Sequence, residues 1–101
     1  MGRRQYEKIN DDDIEEMAVL VAGMVTNVVH RPDDVSLVVD HEVHLLTIRF
    51  RTNDSDAGRV IGRQGKVISA IKTIVFAAAC ARNIRVELEY ENDRSRNRYD
   101  D

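Results

Sequence analysis

The sequence predicts one small α+β domain, in which a three-stranded sheet is covered on one face by three helices. Its 101 residues and 43% hydrophobic content fit a single domain with a modest core. Apolar residues recur at helical spacing in some segments and at every second position in others. These segments follow the order α-β-β-α-α-β, and three strands with one apolar face need a single helical layer.

Composition excludes several classes of protein. The chain has a single cysteine, Cys80, which permits neither an internal disulfide nor a cysteine metal cluster. No stretch approaches the ~18 consecutive apolar residues of a membrane span, and no secretory signal is recognisable at the amino end. We therefore expect a cytoplasmic protein with no cofactor and no membrane partner.

The predicted domain spans residues 11–91, between a flexible polar lead at 1–10 and a disordered polar tail at 92–101. Its first helix starts in the acidic run 11–13, where an Asp would be the N-cap; a metal or partner site is the alternative for this run. The helix ends before Pro32, because proline disfavours helical backbone in the preceding residue. Its apolar residues at helical spacing are Ile14, Met17, Ala18, Val21, Met24, Val25 and Val28.

Three segments alternate between apolar and polar residues and predict strands. Segments 35–39 and 44–50 form an antiparallel hairpin, and segment 84–91 is the last strand. His41 and His44 flank the hairpin turn; we interpret them as turn histidines, with a metal-ligand pair as the alternative. The shared apolar face consists of Val35, Leu37, Val39, Leu46, Ile48, Phe50, Ile84, Val86, Leu88 and Tyr90.

Two further helices precede the last strand, a short one at 55–61 and a longer one at 66–82. Phe76 falls opposite the apolar sector of the longer helix. We therefore consider it a possible partner surface, with burial under the first helix as the alternative. The predicted apolar sector consists of Val67, Ala70, Ile71, Ile74, Val75, Ala78 and Ala81.

The net charge of −3 conceals one basic segment. Residues 1–48 carry a net charge of −6 and residues 73–101 one of −1, whereas residues 49–72 carry +4. A local basic segment in an acidic chain indicates a confined anion site rather than general coating of a polyanion. Its cations are Arg49, Arg51, Arg59, Arg63, Lys66 and Lys72.

The most informative motif is Gly62-Arg63-Gln64-Gly65, between the two helices. Glycines permit positive φ and close backbone approach, and the loop leads into a helix amino terminus whose N–H groups favour phosphate. Apolar residues flank the loop and could support bases. A tight helix–helix turn without a ligand is the alternative. A Walker loop is excluded because Val67 follows Gly65-Lys66, and a dinucleotide-binding fingerprint would need different glycine spacing after a strand.

The phrase V-I-G-R-Q-G-K-V-I, after a hairpin and before a final strand, resembles the GXXG region of KH domains, which clamps four nucleotides of single strand. The extra helix and strand before it resemble the type II form. The longer phrase A-G-R-V-I-G-R-Q-G-K-V-I-S-A-I-K-T and the single-domain length are similar to the small bacterial KhpA-type RNA-binding proteins, over about residues 14–91.

The resemblance implies single-stranded RNA binding, a role as RNA chaperone or post-transcriptional regulator, and a link to cell elongation and division. It also implies a homodimer, or a heterodimer with a larger KhpB/Jag-type KH protein. Arg82 and Asn83 would form the opposite wall of the groove beside Arg85. The candidate RNA-binding residues are Arg59, Val60, Ile61, Gly62, Arg63, Gln64, Gly65, Lys66, Ile68 and Arg85.

Two alternatives stay open. The domain could be a KH-fold protein-interaction subunit that binds little RNA, although an Arg in the loop favours phosphate contact. The tail arginines Arg94, Arg96 and Arg98 could add a phosphate contact or have no role. No nucleophile–base pair is recognisable, so we do not expect an enzyme.

Overall fold

The computed structural model describes residues 5–91 and confirms the predicted α+β architecture. Three helices cover one face of a three-stranded sheet. Short 3-10 turns lie at Pro32–Asp34, Asp54–Asp56 and Arg63–Gly65. The elements are α1 (Asp11–Val28), β1 (Ser36–His41), β2 (Leu45–Arg51), α2 (Ala57–Ile61), α3 (Lys66–Arg82) and β3 (Arg85–Glu91).

The sheet has the order β1-β2-β3, with β2 in the centre. β1 and β2 form the predicted antiparallel hairpin, with Leu37 opposite Phe50. β3 is parallel to β2, with Ile48 opposite Leu88. The predicted alternation is confirmed, because Ile48, Phe50 and Leu88 are buried under the helices. The Phe50 and Tyr90 rings stack with centroids 4.8 Å apart.

The first helix is capped by a residue that the sequence interpretation missed. Asn10, not an aspartate, is the N-cap of α1, and its side chain accepts a hydrogen bond from the Asp13 N–H at 2.8 Å. The Asp13 carboxylate in turn accepts from the Asn10 N–H, which completes a capping box. Asn is favoured here because its amide oxygen reaches the third backbone N–H.

The face of α3 that packs on the sheet differs from the predicted sector. Ile71, Val75 and Ala79 are buried, whereas Ala70, Ile74 and Ala81 are exposed. Alanine and isoleucine also lie on a second, outward face of α3, and helical spacing alone does not distinguish that face from the buried one. The segment Arg63–Arg82 matches a membrane span by length and composition alone, and 17% of its most apolar 18-residue window is buried in this domain.

The helices α1 and α3 run antiparallel. Arg82, at the end of α3, bonds Glu16 near the start of α1. At the opposite end, Asn27 and Val28 of α1 lie beside Lys66 of α3 in an open apolar groove. α1 contacts β1 and α3 contacts β3, so α3 has one flank toward α1 and one flank over the sheet edge.

The lead contacts the domain over residues 5–10. The Glu7 N–H donates to the Asn83 carbonyl at 2.7 Å, and the Ile9 N–H donates to the Val43 carbonyl at 2.8 Å. The Asn83 side chain donates to the Gln5 carbonyl at 2.6 Å. These bonds cross the end of the sheet where β3 begins, and no sequence signal indicated them. The predicted tail at 92–101 lies outside the described residues.

Candidate nucleic-acid interface

A buried carboxylate fixes the start of α2, and with it the candidate loop. Asp56 is 1% exposed. Its two oxygens accept backbone hydrogen bonds from His30 at 3.0 Å and Arg31 at 3.1 Å, just beyond the end of α1. The N–H of His30, together with that of Arg31, holds the pKa of Asp56 below its ordinary value, against the opposing effect of burial. Asp56 therefore joins α1 to the helix that precedes the loop.

The backbone of the loop turns sharply through three residues of positive φ. Gly62 has φ 76 and ψ 172, Gln64 has φ 58, and Gly65 has φ 75. The Gly62 N–H donates to the Gly58 carbonyl, and the Gly65 N–H donates to the Gly62 carbonyl at 3.1 Å. This conformation ends α2 and starts α3 within four residues, as the glycine spacing predicts.

The two loop glycines differ in the space that a Cβ atom would find at each position. A Cβ at Gly62 would lie 2.4 Å from Cγ2 of Val67 and 2.8 Å from its backbone nitrogen. A Cβ at Gly65 would meet nothing within 4 Å. Gly62 is therefore needed by the fold itself, whereas the space beside Gly65 is open to a ligand backbone.

The tip of the loop presents polar side chains to solvent. Arg63 and Gln64 are both exposed, as predicted. Gln64 adopts the left-handed backbone region despite its Cβ, which stores a small amount of strain in the loop. The Gly65 N-cap has no side chain to bond the first N–H groups of α3, and the Lys66 N–H donates to the Arg63 carbonyl within the loop.

The structure divides the cations of the basic segment 49–72 into two groups. Arg49 bonds Asp40 and Glu89, both at 3.0 Å, and the hydrogen bond to Glu89 contributes most to raising the pKa of Arg49. Arg59 lies 3.7 Å from Asp56. Arg51 also has a partner. Within residues 5–91, the remaining three cations form no ion pair, namely Arg63, Lys66 and Lys72.

The free cations all lie on the loop or on α3. Arg63 lies in the Gly-Arg-Gln-Gly turn, Lys66 follows it directly, and Lys72 lies about 1.7 turns further along α3. Lys72 was not among the predicted site residues, although its spacing of four from Ile68 already placed both on one helix face. The positive charge of the segment is therefore concentrated along α3.

The predicted apolar floor is smaller than the sequence indicates. Ile61 is 38% exposed and Ile68 is half-buried, so both can offer apolar surface beside the loop. Val60, in contrast, is 0% exposed, because it belongs to the buried core cluster. The prediction that Val60 forms part of the floor of the RNA groove is therefore wrong, since Val60 supports the loop from within the core.

The predicted opposite wall lies at the far end of α3. The 17 residues of this helix separate the loop from Arg85 by about 25 Å. Arg85 lies over the Tyr6 ring, 5.8 Å from its centroid, and Arg82 is bonded to Glu16. Asn83 has φ 57 and ends the helix. The structure therefore does not bring these residues together with the loop tip.

A second surface feature was missed at the sequence level. An open apolar groove of about 690 Å³ lies between α1 and α3, on the flank of α3 that faces α1. The signal for it was the apolar outer face of α1. Its lining residues are Val19, Leu20, Gly23, Met24, Asn27, Val28, Lys66, Val67, Ala70, Ile71 and Ile74.

Two helices joined by a glycine loop on a three-stranded sheet, preceded by an additional helix and strand, define a KH domain. The family model described as the KH domain of KhpA/KhpB matches residues 18–90. The chain therefore belongs to the KhpA/KhpB KH-domain family. The prediction of this family from the loop phrase is confirmed.

Relatives of known name support the same assignment. The RNA-binding protein KhpA of Lactiplantibacillus plantarum is 37% identical over 82 residues, which cover 81% of this chain and 96% of that protein. The RNA-binding protein KhpA of Bacillus subtilis is 33% identical over 81 residues, 80% of this chain and 96% of that protein. Because these relatives are named as RNA-binding proteins, the expectation that the chain is not an enzyme agrees with the comparison.

A solved structure shares the fold. The crystal structure of Era in complex with MgGDPNP and nucleotides 1506–1542 of 16S ribosomal RNA superposes with a TM-score of 0.52. The match covers 85% of this chain and 35% of that chain, at 13% sequence identity. At this identity the likeness concerns the fold alone.

Proposed function

We propose that this chain binds single-stranded RNA through its glycine loop and acts as an RNA chaperone or post-transcriptional regulator. The observation that carries the proposal is the set of free cations beside an open backbone turn. Arg63 and Lys66 have no ion pair within residues 5–91, and the loop leads directly into the amino terminus of α3. Phosphates of an RNA strand would pair with these groups.

The acidic remainder of the protein supports a confined site. A single KH groove reads only about four nucleotides, so affinity and sequence specificity are modest. The sheet face that points away from the helices carries Glu87, Glu89 and Asp40. Arg49 on this face is bonded to Asp40 and Glu89, so its charge is not available to phosphate, and we expect the strand on the helical side.

The experiment is fluorescence anisotropy with a labelled single-stranded RNA at several salt concentrations. Arg63→Asp/Gln64→Asp places negative charge at the loop tip while both glycines stay in place. The matched control, Lys8→Asp/Ser36→Asp, gives the same change in net charge at exposed positions outside the loop. We expect the loop variant to lose binding and the control to keep most of it.

The salt dependence gives a second readout. Each phosphate contact to single strands contributes about −0.7 to the slope of log K against log salt. The loop variant therefore shows a slope reduced by about one contact or more. Equal binding and equal slopes in all three proteins would overturn the proposal.

The apolar groove favours a second activity, the binding of a protein partner. We propose that a second KH chain covers it, in a homodimer or in a heterodimer with a larger KhpB/Jag-type protein. Val19 is 65% exposed and Ile74 is 49% exposed at this groove. Association would also join two short RNA grooves and raise the overall RNA affinity.

The partner proposal is tested separately from RNA binding. Ile74→Lys places a charge in the groove without touching the loop. We expect this variant to sediment as a smaller species than the wild type, alone or with the larger KH protein. Unchanged sedimentation in both mixtures would contradict the partner proposal and leave the RNA proposal intact.

A further inference from the structure

We propose that Phe76 stacks on a base of the bound RNA and extends the binding site along α3, away from the loop. This inference rests on the proposed function, since it concerns the same strand. It assigns an RNA contact to a side chain that the sequence suggested as a protein contact. Phe76 is 46% exposed, so α1 does not cover it.

The position of Phe76 on α3 carries the inference. Ile68, Lys72 and Phe76 follow one another at intervals of four, so they lie on one face of the helix. The α1 groove is lined on α3 by residues that include Ala70 and Ile74, which occupy the other flank. The face with Phe76 is therefore the flank that overlooks β3.

The neighbouring strand leaves this flank open. β3 pairs only with β2, so within residues 5–91 its outer backbone edge has no strand partner. That edge can bond base edges, and the flank of α3 above it offers apolar and aromatic surface. The side chains of Glu87, Glu89 and Glu91 on β3 lie on the open face of the sheet, away from α3.

The chemistry of the flank differs from that of the α1 groove. The cation Lys72 lies one turn before Phe76 on this flank and the polar Ser69 about two turns before it, whereas the groove is formed almost entirely by aliphatic residues. A planar ring next to a free ammonium suits a nucleotide, with the base on the ring and the phosphate on the amine. An aliphatic groove suits a protein surface instead.

The distance along α3 is compatible with one continuous strand. Phe76 lies eleven residues beyond Gly65, which corresponds to about 16 Å along the helix axis. A strand clamped at the loop reaches this distance within a few nucleotides. Lys72 lies between the two contacts and would pair with an intervening phosphate.

The first test uses the absence of tryptophan from the sequence. Phe76→Trp introduces a single tryptophan at the proposed site, and Val38→Trp introduces one at an exposed position of β1. We expect single-stranded oligouridylate to quench the fluorescence of Phe76→Trp and not that of Val38→Trp. Equal quenching, or none in either variant when the RNA is bound, would overturn the inference.

The second test measures affinity and oligomeric state together. We expect Phe76→Ala to weaken RNA binding about five- to hundredfold, the range for loss of one base–aromatic contact, and Phe76→Tyr to keep wild-type affinity. Val38→Ala, at an exposed position of β1 outside both the loop and the apolar groove, serves as the control. Phe76 is also partly buried, so its replacement could change the stability of the domain. Circular dichroism therefore verifies that each variant is folded.

The outcomes separate this inference from the proposed function. If wild type binds RNA and Arg63→Asp/Gln64→Asp does not, but Phe76→Ala binds like wild type, the inference alone fails. If the loop variant binds like wild type, the proposed function fails. If Phe76→Ala changes sedimentation and leaves RNA affinity unchanged, Phe76 is a protein contact and the inference is overturned.

Discussion

The two loop glycines offer the sharpest prediction, because the structure assigns them different roles. Gly62 has φ 76 and ψ 172, a region that only glycine populates, at a cost of about 1–3 kcal/mol for any other residue. The Cβ of an alanine there would also overlap Val67 at 2.4 Å. Overlap of this kind costs about 1–3 kcal/mol. Gly62→Ala should therefore lower the free energy of unfolding by about 2–6 kcal/mol.

Gly65 provides the matched comparison. Its φ of 75 and ψ of 16 lie in the left-handed helical region, and its Cβ direction is open. Gly65→Ala should cost only about 1–2 kcal/mol. Gly65→Asn should cost less, since asparagine tolerates this region. The total stability of such a domain is about 5–15 kcal/mol, so Gly62→Ala approaches the threshold of unfolding while the Gly65 variants do not.

The assay is urea unfolding followed by circular dichroism, with RNA anisotropy on the variants that fold. We expect both Gly65 variants to fold and to bind RNA more weakly, because a side chain then occupies the path of the RNA backbone. The reasoning is refuted if Gly62→Ala unfolds at the same urea concentration as Gly65→Ala. Loss of RNA binding in Gly62→Ala would report unfolding rather than a lost contact.

Three further predictions concern the supports of the site. Asp56→Asn should lower stability at neutral pH. The folded-state pKa of Asp56 lies below its ordinary value of 3.8, so the stabilisation is complete above that pH and is lost as the pH falls through the lower pKa. Urea unfolding should therefore show a difference from wild type that shrinks in acid, and a constant difference would contradict the argument. Tyr90→Phe removes the hydroxyl that lies 2.6 Å from Thr52 and should cost about 0.5–1.5 kcal/mol in the same assay, with the ring stacking retained. Asn83→Ala places at the end of α3 a residue that tolerates φ 57 less well than asparagine, and it removes the hydrogen bond to Gln5, so thermal unfolding should occur at a lower temperature. Asn83→Gly loses the same hydrogen bond but accommodates φ 57, so it should retain more of the stability.

Much of the fold was predictable because its signals are local and periodic. The alternation of Leu46, Ile48 and Phe50 fixed which strand face is buried, and all three are 0% exposed. The loop was predictable because Gly62 and Gly65 mark backbone that few other residues adopt. Asn83 marked the end of α3 for the same reason.

The remaining features depend on contacts between segments distant in the chain. Asp56 reads as an ordinary turn residue, and only the fold brings it to the backbone of His30. Arg49 contributes to a basic segment in the sequence, yet Asp40 and Glu89 from two neighbouring strands neutralise it. The spacing of apolar and polar residues along the chain does not indicate such contacts between distant segments.

In the candidate site, too, some residues were predictable from local signals and others depended on the three-dimensional fold. The Arg63 and Gln64 positions followed from the motif, since a loop tip exposes its side chains. Val60 was misplaced because a helix of five residues is too short for its apolar sector to be read from spacing alone. Arg85 was assigned to the opposite wall of the groove by resemblance, because the sequence alone does not show how far α3, about 25 Å long, separates it from the loop.

The central claim is that the loop of this chain is where RNA is held, and amide chemical-shift mapping tests it most directly. Single-stranded oligouridylate would be titrated into ¹⁵N-labelled wild-type protein. The account predicts the largest shifts at the amides of Gly62, Arg63, Gln64 and Gly65, with further shifts along α3 as far as Phe76. Shifts confined to the α1 groove around Gly23, or none at the loop in saturating RNA, would contradict it.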